Sequence, residues 1–295
     1  MALKISIIGI GRLGGALAIA LDKKDFTIEN LVARNWEAAN KIAESLASKP
    51  KILSAESFSE ISSDVIFICT QDSKIESVAE SLAKNLPNKS VVFHTSGSLS
   101  SEVLRNLKNV GCRIGSIHPL VSISDSQLGA ERFAGAYFCV EGDSEAVETA
   151  RGIVENLGGN SFSIATEYKT LYHASAVTAC GHLVALVDAA IEMLTRCGVA
   201  ETDAQRILLP LIKSTVENLK TQTAAEALTG TFARADVATL GKHLKTLGEN
   251  VSVEALEIYL LLGARSLNLA ETRGANRENL DEMRGQILLA KKNLK

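Results

Sequence analysis

Three groups of residues in this 295-residue chain have types and spacings that could do chemistry. Gly9, Gly11 and Gly14 stand at G-x-G-x-x-G spacing within IIGIGRLGGALA, residues 7–18. Between a strand and a helix, such a turn holds a pyrophosphate. The first glycine makes the tight turn, the second lets the backbone approach the phosphates, the third lets helix pack on strand, and the helix N-terminus faces the anion. His118 immediately precedes Pro119. A residue before proline is held extended, which fixes this imidazole as a proton relay or as a hydrogen-bond partner of a substrate; a role in holding loop geometry stays open beside these. Lys169 and His173 are four residues apart and so share one helical face. Ala176 and Cys180 continue that face with small side chains that leave room for a substrate. For Lys169, the place of an exposed first-turn residue stays an alternative.

The elements that must position these residues follow from hydrophobic periodicity. Short apolar runs predict strands at 3–8, 27–33, 51–53, 64–69, 90–95, 112–118, 136–142 and 160–164. Amphipathic stretches predict helices at 12–23, 36–47, 73–85 and 144–157. Strands alternating with helices mean a doubly wound α/β sheet, here a Rossmann dinucleotide-binding domain over residues 1–165. The pattern then changes. Long helices are expected at 166–197, 203–220, 236–247, 252–271 and 277–294, with Gly198, Gly230 and Gly248 as punctuation. Residues 166–295 therefore read as an all-helical domain for substrate binding and dimerisation. Its apolar stretch Ala174–Leu194 contains His182, Asp188 and Glu192, and reads as a buried helix, not a membrane span.

The glycine turn now has a strand before it and a helix after it, with Arg12 and Leu13 inside it. Where an NAD site usually carries an acid at the end of the second strand, this sequence has Val32-Ala33-Arg34-Asn35. A guanidinium pairs bidentately with a 2′-phosphate, and Arg12 could add a second positive charge, so NADP is the expected cofactor. Arg34 as a solvated surface charge is the competing reading. Ligands lie beyond the carboxyl ends of the strands, which nominates Thr70, Gln71 and Asp72, then Thr95, Ser96 and Gly97, then His118, around the ribose and nicotinamide. Ser96 and His118 are also candidate substrate contacts.

Composition excludes some classes of function. The net charge of −3 gives no basic field for nucleic acid or an anionic membrane. With 4% aromatic residues, base-stacking platforms are not expected. The five cysteines show no paired spacing and read as buried free thiols, and no zinc pattern is present. The chain enters a strand at LKISIIG, so no signal or transit peptide is expected, and a soluble cytoplasmic protein follows.

Four phrases, taken in order with the glycine turn, carry a resemblance: FHTSGSLSSEVL (93–104), GSIHPLVSI (115–123), KTLYHASAV (169–177) and ALTGTFARADVATLGKHLKTL (227–247). Over nearly the whole chain they resemble a bacterial family of Rossmann-like NADP oxidoreductases whose C-terminal helical domain is of unknown function. The chain departs from that pattern twice. Gly230-Thr231-Phe232-Ala233-Arg234-Ala235-Asp236 stands where the family has Gly-Pro before Ile-Ala-Arg-Gly-Asp, and Cys180-Gly181-His182 stands for Ser-Asn-Tyr. More distantly the layout is similar to 6-phosphogluconate and other β-hydroxyacid dehydrogenases, pyrroline-5-carboxylate reductases and prephenate dehydrogenases. The second resemblance implies a 6-phosphogluconate-dehydrogenase-like helical domain, commonly dimeric. It also implies that Lys169, its pKa lowered by burial or a neighbouring cation, donates a proton to a carbonyl oxygen as hydride arrives, while His173 orients the substrate.

His182 follows His173 by nine residues; on a straight helix that turns it to the opposite face, so a place in the core or at a subunit contact is expected. Arg234 could clamp a substrate carboxylate, and Asp236 reads as the N-cap of the next helix. The leading expectation is an NADP-dependent oxidoreductase acting on a small carbonyl, imine or hydroxy compound that carries a carboxylate. The alternative is a non-catalytic NADP-binding or sensing protein. EALEIYLLLGA (254–264) leaves more apolar surface than one helical layer hides, which predicts a homodimer through the helical half.

Overall fold

The structure is a computed structural model and describes residues 2–87 and 89–294. The first compact unit runs to Cys180 and the second from Gly181 onward.

The first unit is built on an eight-stranded sheet. Its strands are β1 (Leu3–Ile8), β2 (Phe26–Val32), β3 (Lys51–Leu53), β4 (Val65–Ile68), β5 (Val91–His94), β6 (Arg113–Pro119), β7 (Tyr137–Gly142) and β8 (Asn160–Phe162). They lie in the order β3-β2-β1-β4-β5-β6-β7-β8. All neighbours pair in parallel except β6 with β7. The helices are α1 (Arg12–Asp22), α2 (Trp36–Ser45), α3 (Asp72–Asn85), α4 (Arg105–Asn109), α5 (Ser126–Glu131), α6 (Ser144–Asn156) and α7 (Lys169–Ala179). Strands buried on both faces must be apolar throughout, and β4 (Val65-Ile66-Phe67-Ile68) is buried at every position. One core layer joins α1 and α6 to the sheet through Ile5, Leu17, Leu21, Phe67, Phe93, Phe138 and Ile153. The other face packs α3 and α4 through Ile66, Ile68, Ile75, Leu82 and Leu107. The direction of strand addition reverses between β1 and β4, and that reversal opens a crevice at their carboxyl ends.

The second unit contains α8 (Gly181–Arg196), α9 (Glu201–Leu219), α10 (Ala224–Ala227), α11 (Gly230–Ala233), α12 (Val237–Asn250), α13 (Val253–Thr272) and α14 (Arg277–Asn293). Leu240, Leu256, Leu260, Leu267, Leu280, Met283 and Ile287 form its core. Asp236 caps α12, its carboxylate accepting from Thr239 N at 3.0 Å. Ser252 caps α13 while its own N and Oγ donate to the Glu192 carboxylate at 2.7 and 2.8 Å.

Four expectations need correction. The predicted single helix over 166–197 is broken: a 3₁₀ turn covers Thr166–Tyr168, α7 ends at Ala179 and α8 starts afresh at Gly181. The stretch Thr166–Arg196 is long and apolar enough to cross a membrane by length and composition, yet only 6% of its most apolar 18-residue window is buried. Within its unit α8 packs chiefly on α9 and α13, which cover one side of it and leave Leu183, Val184 and Leu186 exposed. His182 is exposed as well, so it is not a core histidine. The cysteines are all free, but Cys180 and Cys197 are exposed and only Cys112 and Cys139 are fully buried.

Candidate functional site

The glycine turn links β1 to α1. Gly9 has φ +97°, and a Cβ there would stand 2.9 Å from the Cys69 carbonyl, because the loops after β1 and β4 pack directly on each other. A Cβ on Gly14 would stand 2.0 Å from the Gly9 carbonyl oxygen. Gly11 differs: nothing lies within 4 Å of the place its Cβ would take. Gly11 is also the N-cap residue of α1; no side chain caps that helix and no acid sits in its first turn. The N–H donors of that turn therefore face open space, as a pyrophosphate site needs. Leu13 turns inward against the sheet core, and Arg12 is exposed.

A cleft of about 410 Å³ runs from this turn along the ends of β2 and β4. Ile8–Gly11, Val32–Asn35, Phe58, Cys69–Gln71, Lys74 and Val78 are among the residues that line it. No carboxylate lines it, whereas Arg34 and Lys74 both do. Neither cation forms an ion pair among the described residues. Asn35 lines the cleft while its Oδ1 accepts from Ala38 N at 3.1 Å, capping α2. Thr70 Oγ1 is buried with no hydrogen-bond partner. Burial pushes the neighbouring Cys69 thiol up to about 12, so it stays protonated. The open glycine turn fits the pyrophosphate of a nicotinamide dinucleotide, and the cleft beside it presents two cations and no carboxylate.

At the ends of β5 and β6 the polar residues hold one another. Asp72, in the first turn of α3, accepts from Ser96 Oγ at 2.8 Å and from Ser98 Oγ at 2.7 Å, tying the loop after β5 to the loop after β4. Thr95 and Ser96 are buried. The bare Gly97 is required, because a Cβ there would lie 2.5 Å from the His173 ring and 2.7 Å from that of His118. The rings of His118 and His173 are edge to face, with centroids 6.0 Å apart. Gly97, His118 and His173, separated in sequence, thus meet at one point. His118 Nδ1 is 2.6 Å from the Tyr172 hydroxyl.

Beneath them lies a row fixed by strand register. Ser116 pairs with His94 on β5 and with Glu141 on β7. Lys169, the first residue of α7, enters that row. Its Nζ donates to Ser116 Oγ at 2.8 Å and lies 3.7 Å from Glu141 Oε1 and 5.7 Å from the Tyr172 ring centroid. Lys169 is 2% exposed and Glu141 4%. Glu141 also accepts from Ser101 N and Oγ at 2.9 and 2.7 Å. Burial lowers the pKa of Lys169, opposed by Cys139 and Glu141. Burial, then the Lys169 charge, brings both His94 and His118 down to about 4, so both are neutral near pH 7. Burial pushes Tyr172 up, so the phenol keeps its proton.

Most nominated residues therefore gather at the carboxyl edge of one sheet: Gly9, Gly11, Gly14, Arg34, Asn35, Thr70 and Gln71 around the cleft, and Ser96, Gly97, His118 and His173 at its continuation. Arg234 is exposed in the helical unit and closes α11. Sequence reasoning missed Lys74, Tyr172, Ser116 and Glu141. Tyr172 was within reach, since it precedes His173 on the same helix. Lys74, Ser116 and Glu141 join the site only through strand order and register.

Residues 1–119 match a Rossmann-like domain, and residues 136–266 match a domain of unknown function, DUF2520. No curated protein matches the chain in sequence. Among solved structures, protein TM1727 of Thermotoga maritima is similar at 26% identity and a TM-score of 0.74, over 91% of this chain and 99% of that one. BF3122 of Bacteroides fragilis, a candidate NADP oxidoreductase, is similar at 21% identity and a TM-score of 0.72, over 90% and 98%. The pyrroline carboxylate reductase of Plasmodium falciparum, with NADP bound, shares the fold at 14% identity and a TM-score of 0.58, over 91% and 98%.

Proposed function

We propose that this chain, a Rossmann-like domain joined to a domain of unknown function (DUF2520), is an NADP-dependent oxidoreductase. The observation that carries the reading is the cleft beside the glycine turn, lined by Arg34 and Lys74 and by no carboxylate. The N–H groups after Gly11 hold the pyrophosphate, and Arg34 takes the 2′-phosphate with Lys74 beside it. When bound, the nicotinamide supplies or accepts a hydride. Thr95, Ser96 and Gly97 border the nicotinamide end, and His118 and His173 bind and orient the substrate there. The substrate is a small carbonyl, imine or hydroxy compound bearing a carboxylate.

A pair of chains is the proposed assembly, with a second copy covering the exposed apolar side chains of α8 and α9, among them Val184, Leu209 and Leu211. The test of activity is NADPH oxidation followed by absorbance with a panel of keto acids, cyclic imino acids and aldehydes. Turnover with one class supports the enzyme. Tight NADPH binding with no turnover across the panel favours a sensing protein with the same fold.

A further inference from the structure

The buried lysine under the imidazoles does not have the position of a proton donor. Lys169 is 2% exposed, and its ammonium is enclosed by Ser116 Oγ, Glu141 and the face of Tyr172. What Lys169 does reach is the underside of the next row. His118 follows Ser116 by two positions on β6, so both side chains leave the same face of the sheet. The Tyr172 hydroxyl, one turn along α7 from Lys169, stands 2.6 Å from His118 Nδ1. His118 is partly exposed, and its Nε2 has no hydrogen-bond partner among the described residues. That edge of the ring faces Gly97.

We infer that Lys169 and Tyr172 are positioning residues that set His118 as a neutral imidazole with its proton on Nε2, presented to the substrate as a hydrogen-bond donor. In the inferred arrangement the Tyr172 hydroxyl, 2.6 Å from Nδ1, is the donor of that bond, which puts the ring proton on the opposite nitrogen. The Lys169 charge opposes a second proton on the ring. A neutral N–H donor polarises a carbonyl or imine toward hydride addition and does not protonate it in the ground state. The groups that face His118 are Lys169, Tyr172 and His173 from α7, Asp72 from α3, His94 from β5, and Cys139 on β7, the register partner of His118. Burial, Lys169 and His173 all disfavour the imidazolium, and Asp72 alone opposes them. The inference rests on reading this place as the hydride-transfer site.

Long-range ¹H–¹⁵N spectra of the full-length protein without cofactor read the tautomer directly, with the His118 signals assigned by their loss in His118→Gln. The expected result at pH 7 is a protonated Nε2 and an unprotonated Nδ1, persisting below pH 6. A ring protonated on Nδ1, or an imidazolium at pH 7, overturns the inference. Tyr172→Phe should abolish the tautomer preference. Lys169→Met should raise the titration midpoint of His118 by about one pH unit, and an unchanged midpoint overturns the positioning role. Because Lys169→Met strands the Glu141 carboxylate, whose charge itself favours the imidazolium, Lys169→Met/Glu141→Gln repeats the measurement with both charges removed, and a smaller rise is expected; no rise in the double variant overturns the positioning role. These spectra need no bound NADP. A wrong tautomer therefore leaves the cofactor reading standing, and failure to bind NADPH leaves the tautomer result standing.

Discussion

Arg34 and Lys74 reach one cleft from two different elements, the end of β2 and the first turn of α3. Arg34→Ala should weaken NADPH about tenfold or more, since charge-assisted bonds to a phosphate contribute about 1.5–3 kcal/mol. NADH affinity should barely change. Lys74→Ala should cost about fivefold in the same calorimetric titrations, the smaller value expected of an exposed point charge. Equal losses for both nucleotides would remove Arg34 from the 2′-phosphate. The two histidines make a second expectation. Their folded pKa values, about 4, lie below the ordinary value of 6.5. The unfolded chain therefore binds more protons, and stability falls as pH drops below about 6.5, levelling off near 4, by up to about 1.4 kcal/mol per pH unit for each histidine. Denaturant midpoints at pH 7, 6 and 5 check the slope, and His94→Gln/His118→Gln should flatten it.

At the scale of elements, close packing of β1, α1 and β4 makes the turn. Gly14→Ala drives a methyl into the Gly9 carbonyl oxygen 2.0 Å away. The helix must lift, so the thermal midpoint should fall by about 4 °C or more, with NADPH binding lost. The turn and Arg34 were legible because spacing and residue type alone define them. The eight strands were legible for a similar reason: buried parallel strands are short apolar runs. Lys74 was not legible, because its neighbour across the cleft is set by β4 lying beside β1. Nor was the burial of Lys169, whose partner Ser116 is 53 residues away in sequence. Spacing placed Lys169 and His173 on one face but could not say that the lysine points beneath the sheet edge while the histidine stays above it. The break at Cys180 escaped detection because the apolar pattern runs through it without a proline.

At the scale of the whole molecule, the helical half leaves apolar side chains on α8 and α9 in the open, including Leu183, Val184, Ile207 and Leu211. Sedimentation at micromolar concentration should give twice the 31.4 kDa of one chain, and Val184→Glu/Leu211→Glu should return it to the monomer. A wild-type monomer would contradict the proposed pair. The crevice where the sheet reverses direction is proposed to hold NADP with its phosphate on the cations and its nicotinamide beside the imidazoles. A crystal structure of the chain with NADPH tests it most directly. The expected complex has the 2′-phosphate between Arg34 and Lys74, the pyrophosphate on the N–H groups after Gly11, and the nicotinamide ring at Gly97 within reach of His118 Nε2. A dinucleotide bound elsewhere, or one whose 2′-phosphate turns away from both cations, would contradict it.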